Sequence, residues 1–539
     1  MCGIWTFINL LKTNIEYKTL YENFMKLQHR GPDSSNFQIF KNIAIGFHRL
    51  SIMDLKFHAN QPYIFEDLDR TIIFTCNGEI YNFKDLIKEH DLLINNNSDC
   101  MVIPKLYLKY TFDIFLSLFI NKIKGEFAFT LLEFDNFQNL KNVIVGRDQI
   151  GIRPLFWSKK NNLLFSSEIK GMDFIKEQIE EFPPGTITNI IIDDILKDTH
   201  VINNYEFKTV YLTKPILTDY DYLYQIRIAV INSIKRRLVS DTPIAFLLSG
   251  GVDSSLVAAI ASKILNYPIK TYCCGLNEGT DLKFSRKVAE HIGSHHTEVF
   301  FTESEGIDAI NDVIYTTETW DTTTIRASVG QYLVSKYIAT KTDAKVILVG
   351  EGPDEVCSSY LFNYYAPSAE DLHNVAKEYV EKIHMYDGRR ADRCVSSWGL
   401  EARVPLLDPE FISTYWSIPS VQRHPKYKNM EKWWLRKAFE GTGLLPDEVL
   451  WRKKEAFSDG ISSNEKSWFQ IIQEYINKQL PDDSQDYTPT KEAFYYKQKF
   501  IEYFGENNLN IIPHYWQPPK GWINNDEYTD PSARTLNVY

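Results

Sequence analysis

The stretch Leu248-Ser249-Gly250-Gly251-Val252-Asp253-Ser254-Ser255 constrains this chain more than any other. An apolar run of strand length, 243–248, leads into it, and residues 254–265 repeat apolar side chains at helical spacing behind it. A strand that turns through glycines straight into a helix belongs to an alternating α/β fold, in which crossover helices impose a parallel sheet covered on both faces. The turn suits an anion. Glycines let successive backbone N–H groups converge on phosphate oxygens, serines add hydroxyl donors, and the helix N-terminus adds partial positive charge. No lysine follows the glycines, so this is not the G-x-x-x-x-G-K-[ST] loop of the common NTPases. Ser249, Gly250, Gly251, Asp253 and Ser254 are the candidate phosphate ligands.

The same alternation continues with strands expected at 270–274 and 345–349 and a helix at 281–293; beyond about 365 the pattern is mainly helical, with 431–439 its clearest helix. Ligands in such folds bind beyond the carboxyl ends of the strands. There the second strand end carries Val349-Gly350-Glu351-Gly352-Pro353-Asp354-Glu355. Carboxylates from two strand ends, Asp253 and Asp354, suit a magnesium ion on pyrophosphate. The run Glu318 to Ser328 gathers hydroxyls, Thr323 among them, and ends near Arg326, a guanidinium for a substrate carboxylate. Trp451-Arg452-Lys453-Lys454-Glu455-Ala456-Phe457-Ser458-Asp459-Gly460 supplies Lys454 to neutralise charge on a reacting phosphate.

With 539 residues the chain exceeds what one core supports, about 250–300 residues, so two domains are expected. Up to about residue 190 it reads as short β-rich runs, at 43–52, 71–76, 127–134, 143–145 and 163–166, with Asn77-Gly78 and Gly151 as turn residues. We expect one domain at 2–190, a linker at 191–213, a second domain at 214–523 and a polar tail at 524–539.

The chain opens Met1-Cys2-Gly3-Ile4. A small second residue favours removal of the initiator methionine, which leaves a cysteine whose own α-amine, of pKa near 7.7–8.0, can take the thiol proton. Downstream stand His29-Arg30-Gly31-Pro32-Asp33, Arg49-Leu50-Ser51-Ile52, Asn77-Gly78-Glu79-Ile80-Tyr81-Asn82, Ser98-Asp99-Cys100 and Gly146-Arg147-Asp148. In this order the first half resembles the class II, N-terminal-nucleophile glutamine amidotransferases. The resemblance implies a sandwich of two antiparallel sheets flanked by helices, an α+β domain in which Cys2 forms a thioester with the glutamine amide carbon and frees ammonia. It also implies a glutamine site of Arg49, Leu50, Ser51, Ile52, Met53, Asn77, Gly78, Glu79 and Asp99. A guanidinium can grip an α-carboxylate in a fork, an aspartate can meet the α-ammonium, and the Asn77 amide with the Gly78 N–H can hold the oxyanion.

The serine–glycine loop resembles that of the ATP pyrophosphatases. Together with Trp398-Gly399-Leu400-Glu401-Ala402-Arg403-Val404-Pro405, it makes residues 214 to 520 similar to the synthetase domain of the asparagine synthetase B family. That resemblance implies an α/β domain of ATP-pyrophosphatase type that converts aspartate, glutamine and ATP to asparagine, glutamate, AMP and pyrophosphate. The route implied is a β-aspartyl-adenylate attacked by ammonia that travels inside the protein. Leu248, Cys274, Val349 and Gly350 fall in the implied ATP pocket, Thr323 and Arg326 at aspartate, and Glu351 as base on the incoming ammonia. A homodimer is implied as well.

Two departures stand out. Pro353 replaces the family's usual serine and removes an N–H and a hydroxyl from the acidic turn. Ser358-Ser359 stands where the family commonly has two glycines; if those positions need positive φ, the loop must be arranged differently. A synthetase with another acyl acceptor, or a silent homologue serving as scaffold or sensor, are the competing readings. Cys2 with Arg49, Asn77 and Asp99 disfavours a β-lactam-forming branch, which has no need of glutamine.

The net charge of -11 leaves no positive field for a nucleic acid, and Lys235-Arg236-Arg237 reads as a solvated helix face. Seven cysteines, an odd number without a C-x-x-C pair, fit a reducing compartment. No leader and no run near the roughly 18 apolar residues of a membrane span are evident, so a cytosolic enzyme acting on small molecules is expected.

Overall fold

The computed structural model describes residues 1–67, 69–175, 178–192, 200–207, 218–277, 279–454, 460–462, 466–481, 488–512 and 515–523. The chain divides into two compact units, the first holding Met1–Thr209 with Val239–Thr242 and Ser396–Leu400.

Among the described residues, twelve strands build the first unit. In chain order they are β1 Gly3–Ile8, β2 Ser34–Phe40, β3 Ile43–Arg49, β4 Tyr63–Glu66, β5 Arg70–Ile80, β6 Gly125–Asp135, β7 Leu140–Arg147, β8 Phe156–Ser158, β9 Leu163–Ser166, β10 Glu180–Glu181, β11 Thr186–Ile192 and β12 His200–Glu206. They form two six-stranded antiparallel sheets, ordered β10-β8-β9-β1-β3-β2 and β12-β11-β7-β6-β5-β4. Alternation along β5 explains the layering. Ile73 joins Ala128, Leu132, Val143 and Val145 against Ile4, Ile8, Ile45 and Phe47 of the other sheet. Ile72, Phe74 and Cys76 point the opposite way, under Val102, Ile103, Leu106, Phe115 and Phe119 of two covering helices. Each such buried side chain contributes about 1.5–3 kcal/mol, so two apolar layers hold this unit.

Three expectations need correction. Asn77-Gly78 is not a turn: β5 runs through it, with Asn77 opposite Ala128 and Gly78 opposite Phe127. The run at 43–52 ends as a strand at Arg49, because the following residues wrap around that guanidinium. The stretch 191–213, expected to link two domains, holds the end of β11 and all of β12, which pair from Thr186↔Glu206 to Ile192↔His200; residues 193–199 and 208–213 of it lie outside the described residues. So does the tail at 524–539.

The second unit is built on a parallel sheet of β13 Ile244–Leu247, β14 Lys270–Gly275, β15 His295–Phe300, β16 Val346–Leu348 and β17 Glu401–Arg403, ordered β15-β14-β13-β16-β17. The chain steps outward from β13 to β15, then returns to the other side of β13 for β16. The order therefore reverses between β13 and β16, the place where open α/β sheets bind ligands. Helices Val252–Leu265, Thr280–Ile292, Glu303–Thr317 and Thr322–Lys341 supply the crossovers up to β16. The hydroxyls of the Glu318–Ser328 run have local uses: Asp321 caps the helix Thr322–Lys341 by accepting from Thr324 N and Oγ1, and the Ser328 hydroxyl donates to Thr324 O. The helix expected at 431–439 is Trp433–Phe439, because Lys432 takes a left-handed φ of 56°. Among the described residues no helix is long and apolar enough to cross a membrane.

Two candidate active sites

In the first unit the Cys2 sulfur lies 3.7 Å from the Leu50 carbonyl, while Arg30, buried and paired with Glu168 at 2.6 Å, donates from Nε to the Cys2 carbonyl at 2.9 Å. Arg30 thus fixes the backbone of the nucleophile, a role the motif His29-Arg30-Gly31-Pro32-Asp33 did not disclose. Asp33 accepts from Ser51 N at 2.7 Å. Arg49 is committed to its own loop: Nη1 donates to Lys56 O and Asn60 Oδ1 at 2.9 and 2.6 Å, and Nη2 to Met53 O and Asp54 O. It shapes the segment Leu50, Ser51, Ile52 and Met53 from beneath, so a fork onto a substrate carboxylate requires it to exchange carbonyl partners.

Asn77 is fully buried, and neither its amide nitrogen nor its amide oxygen finds a hydrogen-bond partner. Buried amides are normally satisfied, so a partnerless one calls for a ligand. Gly78 beside it cannot carry a side chain: a Cβ would lie 2.2 Å from Glu126 O and 2.5 Å from Phe127 Cα, at a φ of 152°. Asp99 is carried into the same neighbourhood by its bond from Ile80 N at 2.5 Å, and Glu79 is buried alongside. On the activity that the resemblance implies, Asn77→Ala is expected to lower glutamine hydrolysis by about 10²–10³-fold, measured as glutamate release, with the circular dichroism spectrum unchanged.

In the second unit the loops after β13 and β16 meet in one cavity. Leu248, Ser249, Gly251, Asp253 and Ser254 line it from the first, Gly350, Glu351 and Asp354 from the second, with Cys274 and Lys454 from elsewhere. Gly250 and Val349 belong to the same loops but do not line it; Val349 N bonds to Arg403 O. Ser249 and Ser254 hydroxyls lie 3.0 Å apart. Burial pushes the Cys274 thiol up to about 12, so it is an uncharged wall and no nucleophile.

Four charges converge at one end. Lys432 Nζ pairs with Asp253 Oδ2 and lies 2.5 Å from Asp354 Oδ1, while Lys454 Nζ lies 2.5 Å from Asp354 Oδ2. Burial favours the neutral form of Asp354, but the two ammonium groups outweigh it and hold the carboxyl well below the usual carboxylate range. Asp253 moves the other way, raised by burial. Its Oδ1 is buried without a partner. Two carboxylates reaching one point, one with an unused oxygen, fit a hard divalent cation that completes its shell with phosphate oxygens. Lys432 was missed in the sequence because no motif surrounds it.

Glu351 accepts from Gln331 Nε2 at 3.2 Å and lies 3.7 Å from Arg390, itself 2.9 Å from Asp387. Burial raises the Glu351 carboxyl above the ordinary value, with the Asp387 charge adding to the rise and Arg390 opposing it. Arg326 is not brought to this cavity. Its guanidinium, buried, forks onto Glu492 at 2.8 and 2.5 Å. Thr323 is not among the lining residues either, though its hydroxyl is buried without a partner. Residues 455–459 of the basic segment lie outside the described residues.

Both departures are accommodated. Pro353 opens a short helical turn, Pro353–Val356, where its missing N–H has no intrahelical partner to lose. Ser358 takes φ 53° without being glycine, and the Ser359 hydroxyl bonds Asp354.

The family model described as asparagine synthase matches residues 225–378 and 366–518, and that of a glutamine amidotransferase domain matches 1–204. Relatives named asparagine synthetase [glutamine-hydrolyzing] include one from Gallus gallus, 38% identical over 576 residues, and one from Mus musculus, 39% identical over 579. Each pairing covers 100% of this chain and 99% of the relative. Among solved structures, the allosteric regulatory enzyme of purine biosynthesis overlaps 56% of this chain and 80% of its own, with a TM-score of 0.33 at 14% identity, too distant to carry an argument.

Proposed function

The chain belongs to the family of glutamine-hydrolysing asparagine synthetases, and from that premise we propose how its own residues divide the work of making asparagine from aspartate, glutamine and ATP. Cys2 attacks the glutamine amide carbon and expels ammonia to form a thioester; water then hydrolyses the thioester to glutamate and regenerates the thiol. The partnerless Asn77 amide and the Gly78 N–H face the oxyanion, where a preorganised donor stabilises developing charge without rearranging. Arg49 and Asp99 take the two ends of the amino acid.

At the second site the loop Ser249 to Ser254 cradles the ATP phosphates. The aspartate β-carboxylate attacks the α-phosphorus, pyrophosphate leaves, and Lys432 and Lys454 balance the charge that builds on it. Asp253 and Asp354 would hold a magnesium ion, which neutralises the phosphates when bound. Ammonia then attacks the acyl carbon and expels AMP, while Glu351 takes the proton. Because Arg326 is tied to Glu492, the cavity guanidinium Arg390, 3.7 Å from Glu351, is the group we assign to the aspartate α-carboxylate.

The single observation that carries this reading is the meeting of Ser249, Asp253, Glu351, Asp354 and Lys454 in one cavity at the reversal of the strand order. Glutamine labelled with 15N in its amide tests the coupling. In unlabelled ammonium the asparagine formed should carry the label, with one AMP per asparagine; loss of label to solvent ammonium argues against internal transfer, and no AMP against the whole reading.

Glu351 works as a base only when ionised. The rate should therefore fall as pH falls through its raised pKa, above the 4.5 of an ordinary glutamate. Asp387→Asn removes a raising charge and should move this acid limb to lower pH; an unmoved limb assigns it to another group. The family reading also carries a homodimer, checked by sedimentation, and a reducing compartment such as the cytoplasm, supported by seven free thiols.

A further inference from the structure

The phosphate end of the second cavity contains a cation of its own. Lys432 is 3% exposed, and its ammonium is the common partner of Asp253 and Asp354, which come from the ends of two different strands. Its backbone stands at φ 56°, a left-handed conformation uncommon for a residue with a side chain. With Lys454 on Asp354, two carboxylates and two ammonium groups sum to zero charge.

We infer that Lys432 is the resident counter-ion of this carboxylate pair: without nucleotide its ammonium fills the place between Asp253 and Asp354 that a divalent cation takes. The metal accordingly enters with the nucleotide, whose phosphates draw the ammonium off the carboxylates. The inference rests on reading the cavity as the ATP site.

Electrostatics gives it direction. A free divalent cation entering a neutral, partly buried cluster meets both ammonium groups and gains nothing net from the carboxylates they already neutralise. A nucleoside triphosphate carries enough negative charge to accept the ammonium groups and leave the carboxylates to the metal. Lysine suits the exchange, because a compact ammonium on a flexible four-carbon stem can change partners without moving the backbone. The partnerless Asp253 Oδ1 is an acceptor already in place for the incoming ion.

The test uses full-length protein and Mn2+, with free Mn2+ read by electron paramagnetic resonance, first alone and then with a non-hydrolysable ATP analogue. Wild type should bind Mn2+ at least about tenfold more tightly with the analogue, after subtraction of the Mn2+ that the analogue holds in a protein-free control. Lys432→Met should bind nucleotide-free Mn2+ at least about tenfold more tightly than wild type, and Lys432→Arg should bind it as weakly as wild type. Adding Asp253→Asn to Lys432→Met should abolish the gain, which locates it. Equal binding by Lys432→Met and wild type overturns the inference, as does equally tight binding by Lys432→Arg and Lys432→Met. Should Lys432→Met fail to fold by circular dichroism, the wild-type arm decides: Mn2+ bound as tightly without nucleotide as with it overturns the proposal. Failure of the analogue itself to bind overturns the ATP reading and, separately identified, this inference with it.

Discussion

The Cys2→Ala protein is expected to make asparagine from ammonium at the wild-type rate and from glutamine at less than about one-thousandth of it. The methyl group keeps the half-buried volume at the head of β1, so the sandwich layers of Ile4 and Ile8 are untouched and the fold survives. What is lost is the sulfur proposed to form the thioester, and the donors proposed at Asn77 and Gly78 then have no tetrahedral intermediate to act on. The measurement is paired chromatography of glutamate and asparagine, with glutamine and then ammonium as nitrogen source. Glutamate released at the wild-type rate would sink the assignment of the nucleophile.

Gly350→Ala produces the converse loss. A Cβ at this position would lie 2.7 Å from Ser254 N, 3.0 Å from Ser254 Cα and 3.2 Å from the Asp253 carbonyl carbon. All three are backbone atoms at the start of the helix Val252–Leu265, so no side-chain rotation relieves the contact. The loops after β13 and β16 must part. Displacements approaching 1 Å at a phosphate site cost on the order of 100-fold in rate, and that is the fall expected in pyrophosphate release with aspartate and ATP. Glutamine hydrolysis in the same protein stays at its wild-type value. Pyrophosphate release within threefold of wild type would show that the two loops are not held at that spacing for catalysis.

The phosphate loop was legible because everything that defines it is local: an apolar strand, glycines and a helix start follow one another within a few residues. The nucleophile's surroundings were legible as a set of residue types, but not as geometry. Asn77-Gly78 reads as a turn when seen as a dipeptide; only pairing with Ala128 and Phe127, about fifty residues away, makes it the middle of a strand. The strand β12 was hidden because it is the edge of its sheet and alternates exposed and half-buried residues, without an apolar run. Lys432 was invisible for a different reason. It looks like an ordinary charge at the start of a helical pattern, and only its left-handed backbone and the approach of two distant strand ends give it a role. The pairing of Arg326 was hidden because a guanidinium beside hydroxyls suggests a ligand, whereas Glu492 stands 166 positions later.

That last pairing bears on how the gene tolerates truncation. Glu492 belongs to the helix Lys491–Phe504, and its carboxylate also accepts from the Tyr496 hydroxyl. A nonsense mutation between codons 327 and 492 deletes the anion and strands Arg326 in the interior, a loss of about 3–5 kcal/mol against a total folding stability of about 5–15. A shortened polypeptide ending before that helix would therefore be a substrate for the proteolytic quality-control machinery rather than a slower enzyme.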